Sequence, residues 1–175
     1  MKRLASIFLV PFEKTVTTLG GWKHIPNSSL DFLYLCPRKY RGKTIILKDG
    51  TIIKKGDIIA ELHIDNLRIH RFDSSYANLL KLLKEELIAV KNSLELKGYR
   101  DITAVHGITV FHNIAARQGF TVFDIKNPVT KYLGSLWENL LRVVFKKEKS
   151  KKKVRVSKHC WLSRKQIVNI SDTIK

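Results

Sequence analysis

Acidic residues are scarce in this chain: 15 Asp and Glu stand against 33 Lys and Arg, a formal net charge of +18 over 175 residues. That balance excludes an acidic, cation-collecting protein and points to phosphate-bearing partners. Cysteine is almost missing. Cys36 and Cys160 lie far apart with no CxxC spacing, which argues against a disulfide framework and a thiolate zinc site and fits a reducing, cytoplasmic setting. No apolar run is long enough to span a bilayer. Lys2-Arg3 before Leu4 to Phe12 resembles the start of a signal peptide, but Pro11 breaks the run and Glu13-Lys14 follows without a small-residue cleavage site. Residues 1–20 read instead as an N-terminal amphipathic segment stopped at Gly20-Gly21. The sequence leaves open whether residues 4–12 meet a membrane or the domain. Also missing are an internal repeat, a phosphate-binding loop, and any helix-turn-helix, RNP or zinc-finger signature.

What is present suits one α+β domain over residues 1–175, its apolar fraction of 44% being ordinary for a folded chain. Residues 32–36 read as a strand closed by Pro37. Thr44 to Lys48 and Thr51 to Lys54 flank Asp49-Gly50, a two-residue hairpin signal. That tip lacks the lysine of swinging-arm carrier domains, which excludes them. Residues 58–65 alternate, with Ile58, Ala60, Leu62 and Ile64 on one face and Ile59, Glu61, His63 and Asp65 on the other. Residues 75–98 carry Leu79, Leu83, Leu87, Val90 and Leu94 at helical spacing, with Ser74 or Ser75 to cap and Gly98 to end the helix. A strand at 102–106, a turn at Gly107, a short helix at 108–118 and a strand at 120–125 predict a strand–helix–strand unit with its strands paired in parallel. A second long packing helix is predicted at 128–147 and a lysine-rich loop at 146–153. A late strand follows, carrying Val154, Val156 and Trp161, and Ser163 caps a short closing helix. The expected architecture is a small mixed sheet with a hairpin region, that unit and two long packing helices.

Two groups of residues carry chemistry. Glu61 and His63 share a strand face, where a carboxylate can orient an imidazole for acid–base work. They are the candidate catalytic residues, with His112 as a third. Glu61, His63, Asn66, Gly107 and Arg117 form the candidate ligand-binding set. His106 and Gly107 sit where the strand is expected to meet the helix. The structural counter-reading is a polar sheet face open to water, and for His112 a satisfied core histidine. No metal set is indicated, and the residues name no cofactor.

The second group is basic. Residues 142–175 hold 12 Lys and Arg and only Glu148 and Asp172, so more than half of the net charge lies in a fifth of the chain. Lys146, Lys147, Lys149, Lys151, Lys152 and Lys153 form one run. Arg38, Lys39, Arg41 and Lys43 surround Tyr40 in another. Cations with an aromatic can grip a phosphate backbone or lie among lipid headgroups. A solvated loop is the plain alternative.

Tyr40-Arg41-Gly42-Lys43, Lys48-Asp49-Gly50-Thr51, Lys55-Gly56-Asp57 and Glu61-Leu62-His63-Ile64-Asp65-Asn66 stand here in one order. Gly107-Ile108-Thr109, His112, Arg117, Gly119-Phe120 and Trp161-Leu162-Ser163-Arg164 follow. Together they resemble the YkoP-like family of firmicute proteins over roughly residues 30–170. In some members a similar domain follows a polysaccharide deacetylase, so the resemblance implies cell-envelope work. It adds weight to Glu61, His63, Asn66, Gly107 and His112 as a site, and implies no reaction. The chain departs from the family in its lysine-rich 146–153 and in Ala60, where glycine is frequent.

The leading expectation is an accessory module that binds an anionic envelope component: a lipid headgroup, a lipid-linked phosphate or a wall polymer. Its expected place is the cytoplasm, with a peripheral position on the inner face of the cell membrane left open. The alternatives are a nucleic-acid-binding protein and a hydrolase or transferase using a Glu61/His63 acid–base pair. Whether it is an enzyme stays undecided, and the lack of an obvious nucleophile or phosphate-binding loop weighs against it.

Overall fold

The computed structural model describes residues 15, 17–65, 68, 72–73, 75–126 and 156–172. The expected helix at 128–147, the loop at 146–153 with its lysines, residues 1–14 and Asn66 lie outside them. The fold is α+β. A five-stranded mixed sheet has the order β1-β4-β5-β7-β6, built from Leu33–Lys39 (β1), Ile58–Ile64 (β4), Ile102–Thr109 (β5), Thr121–Asp124 (β6) and Lys158–Ser163 (β7). Among the described strands only β4 and β5 pair in parallel. A separate two-stranded hairpin joins Ile45–Ile46 (β2) to Ile52–Ile53 (β3), with Gly50 at φ 82° in its turn. That dihedral favours glycine, which is what the Asp49-Gly50 signal supplies.

One sheet face is apolar and covered by helices. Helix α1 (Tyr76–Ser93) buries Leu82, Leu87 and Val90 against Leu33, Leu35, Ala60, Val105 and Leu162. Each such side chain contributes roughly 1.5–3 kcal/mol on full burial. Ala115 of α2 (His112–Arg117) and Ile167 of α3 (Arg164–Val168) extend the same layer. Helix α1 starts at Ser75, whose hydroxyl accepts from Asn78 N at 3.4 Å. It stops at Ser93, before Gly98, which takes φ 92° in the turn beyond. Ser163 caps α3 through a reciprocal pair with Gln166.

Four local expectations change. In the hairpin, Ile46 pairs with Ile52 and Leu47 N donates to Thr51 O, so the loop is the three residues 48–50 and not the two-residue turn expected. Strand β1 runs on through Pro37 to Lys39. It is an edge strand, and Leu35 N donates outward, away from β4, to Lys23 O. Alternation aims residue 37 the same way, so proline removes no ladder bond there. Gly107 is no turn but lies inside β5, opposite Leu62. A Cβ at Gly107 would stand 3.3 Å from Leu62 O, so glycine lets β4 and β5 close up. The β5–α2–β6 unit is present, but β7 inserts between its two strands. The neighbouring parallel pair is β4–β5, connected through α1.

Candidate functional site

The other sheet face is where the chemistry collects. Its upper end is closed by the hairpin, with Leu47 and Ile53 packed on Ile59, Ala104 and Trp161. Below that, alternation along β4 turns Glu61 and His63 to this face while Ala60 and Leu62 enter the helical layer. Register places His106 of β5 beside Glu61, and Trp161 of β7 beside His106. His159 follows two residues before Trp161 on the same face.

Glu61 Oε2 lies 3.4 Å from His63 Nε2. The hydrogen bond from His63 holds the Glu61 carboxyl below the usual carboxylate range. Partial burial opposes this, and the charges of His63, His106 and Arg38 reinforce it. An ionised Glu61 accepts only, so it fixes the His63 proton on Nε2 and leaves Nδ1 as the basic nitrogen. Trp22 stacks on the imidazole, ring centroids 3.8 Å apart and planes 8° from parallel. Trp22 reaches this position because residues 22–25 run along β1, tied by Ile25 N to Leu33 O and Leu35 N to Lys23 O.

His106 Nε2 lies 2.9 Å from His159 Nδ1, and the His106 ring stacks on Trp161 with centroids 4.1 Å apart. Burial pushes the His106 pKa down to about 4; the neighbouring His159 and His63 add to this and Glu61 opposes it. Burial also lowers His159. Both rings are therefore neutral near pH 7, one donating its N–H to the other. Asp65, the third ionisable residue on the β4 face, has a holding role. It is buried and accepts from Tyr34 Oη at 2.9 Å, with His24 Nε2 3.1 Å away.

The structure divides the expected site residues. Glu61 and His63 come together, joined by His106. Gly107 contributes backbone spacing to β5. His112 and Arg117 sit on α2, in the helical layer on the opposite side of the sheet. Arg117 stacks over Tyr76 at 5.3 Å. Trp22 and His159 join this face without being among the residues expected from the sequence. His159 could have been found, because His159 and Trp161 alternate with Cys160 and Leu162. Nothing local marks Trp22, which arrives through tertiary contact.

The basic group gathers at the end of β1. Arg38 donates to Gly20 O and sits electrostatically beside Glu61. Lys39, Tyr40, Arg41, Lys55 and Gly56 line an open cleft of about 610 Å³. Tyr40 anchors this loop, its ring edge-on to Trp161 at 5.5 Å and its hydroxyl donating to Lys43 O at 2.7 Å. A Cβ at Gly42 would meet the end of the Tyr40 ring, so glycine leaves room for the ring where it now lies. Among the described residues, none of Lys39, Arg41, Lys43, Lys48, Lys54 and Lys55 enters an ion pair. No group of three His, Cys, Asp or Glu is arranged to hold a metal ion, and no helix is long and apolar enough to cross a membrane, among the described residues.

A family model described as the YkoP domain matches residues 2–171. The chain belongs to the YkoP domain family. It is 28% identical over 104 residues to the protein named "Uncharacterized protein YkoP" of Bacillus subtilis (strain 168), covering 51% of this chain. The match spans 54% of that YkoP protein's length. No solved structure matches.

Proposed function

We propose that this YkoP domain is a binding module for an anionic, phosphate-bearing component of the cell envelope. The observation that carries the reading is the cluster of Lys39, Arg41 and Lys55 around an open cleft, with Lys43, Lys48 and Lys54 close by in the chain. Cations that share one end of a domain add their potentials, and among the described residues none of these is engaged by a carboxylate. The YkoP resemblance, with its association with polysaccharide deacetylases, favours the envelope as the source of the anion. The test is retention of the whole chain on polyphosphate and on anionic vesicles, beside single- and double-stranded oligonucleotides, over a salt series. Retention of the envelope-type anions that weakens with salt supports the reading. Preferential retention of oligonucleotides makes it a nucleic-acid-binding protein instead.

One observation favours a second reading, a hydrolase or transferase. An ionised Glu61 orients His63, and Trp22 stacks on the ring, which is how a protein holds a general base in one tautomer. Turnover of activated phosphate, acyl or glycosyl esters that disappears in His63→Gln, with the fold intact, would support it. A panel without turnover counts against it.

A further inference from the structure

The β2–β3 hairpin has two unlike faces. Its inner residues Leu47 and Ile53 are buried on the body of the domain. On its outer face Ile46 and Ile52 are cross-strand partners and stay 63% and 48% exposed. Strand alternation puts Lys54 on this outer face beyond Ile52, and Lys48 beyond Ile46. Lys43 and Lys55 lie just outside the two strands, and all four lysines are exposed.

Single exposed apolar residues are ordinary on a protein surface. Two adjacent isoleucines flanked along their strands by exposed lysines, none of them ion-paired among the described residues, are a different surface. Nucleic acid or a soluble polyphosphate would satisfy the lysines and leave both isoleucines in water. The interface of an anionic bilayer satisfies both, because acyl chains receive the isoleucines while headgroup phosphates meet the lysines. We propose that this hairpin docks the protein on an anionic lipid surface, with Ile46 and Ile52 entering the interface and Lys43, Lys48, Lys54 and Lys55 contacting headgroups. The proposal rests on the anion-binding reading above and narrows its ligand to a lipid surface.

The experiment compares the full chain with Ile46→Ser/Ile52→Ser in co-sedimentation with phosphatidylglycerol–phosphatidylcholine vesicles. Phosphatidylcholine vesicles are the neutral control, and retention on polyphosphate is measured in parallel. The wild type is expected on anionic vesicles only. The double variant should bind them about tenfold more weakly while its polyphosphate retention is unchanged. Equal vesicle binding by the two proteins overturns the docking. Wild-type retention on polyphosphate without vesicle binding overturns the docking and leaves the anion-binding reading standing. Failure on both overturns both. A dye sensitive to polarity, attached at Ile52→Cys, gives an independent readout, because Cys36 and Cys160 are buried. Its emission should shift to the blue on anionic vesicles, and an unchanged spectrum contradicts the proposal.

Discussion

His106 Nε2 and His159 Nδ1 approach to 2.9 Å on neighbouring strands, so the two imidazoles share one proton between facing nitrogens. Burial penalises the charge that a further proton would bring, and at His106 the neighbouring His159 adds to that cost. Both groups therefore resist protonation, His106 down to about pH 4.

This makes stability depend on pH. In the unfolded chain His106 titrates near its ordinary 6.5, and in the folded one near 4, with His159 displaced in the same direction. Below pH 6.5 the unfolded state takes up protons that the native state refuses. Stability is therefore complete above about pH 6.5 and declines as the pH falls toward 4. Thermal unfolding of the wild type and His106→Phe between pH 4 and 7 checks this. The variant keeps an aromatic ring beside Trp161 and should show the shallower slope.

Glu86 is buried on α1, where its Oε1 accepts from Phe32 N at 3.0 Å. Burial raises its pKa, with the hydrogen bonds from Ser28, Phe32 and Leu33 opposing. A raised acid favours the native state at low pH, and that advantage disappears as the pH rises through the folded value. Glu86→Gln keeps an acceptor for Phe32 N and removes the charge. It should stabilise the protein at pH 8 by about 1 kcal/mol in urea unfolding, and by less at pH 4.

Ser163 does two jobs at the end of β7. Its hydroxyl accepts from Gln166 N at 3.0 Å to cap α3, and donates to Asp49 Oδ2 at 2.6 Å. Burial works against the Asp49 charge, but hydrogen bonds from Ser163 and Thr51 outweigh it and hold the carboxyl low. Ser163→Ala should cost about 1–2 kcal/mol, measured by denaturant unfolding. It should also speed amide exchange in the hairpin turn at 47–51.

Leu87 is fully buried between α1 and the sheet. Leu87→Ala should cost about 2–5 kcal/mol in the same measurement. A loss below about 1 kcal/mol would mean that α1 does not anchor the core.

Much of this fold was legible in the sequence. Period-two alternation over residues 58–65 placed Glu61 and His63 on one face, because β4 has one face in the core and its register is fixed by that burial. The Asp49-Gly50 turn and the Ser163 cap were readable because each depends on a few adjacent residues. Less legible was what long-range pairing decides. Proline normally ends a strand, and Pro37 does not because it lies on an open edge. Gly107 looked like punctuation, but its use is the close approach of Leu62 across the sheet. His159 joins His106 only once β7 has slipped between β5 and β6. Trp22 has no periodic context at all.

The most direct test of the account removes charge from the basic end and compares it with equal charge removed elsewhere. Lys39→Gln/Arg41→Gln/Lys55→Gln strips the cleft, and Lys81→Gln/Lys97→Gln/Lys165→Gln takes three exposed cations from the helical layer. Affinity of the whole chain for vesicles containing phosphatidylglycerol, at about 0.1 M salt, is then measured for both. Each lysine or arginine near an anionic surface contributes about 1 kcal/mol, so the first variant should lose roughly a hundredfold and the second far less. Equal losses would show that only the overall charge matters and that the cleft is not the contact surface.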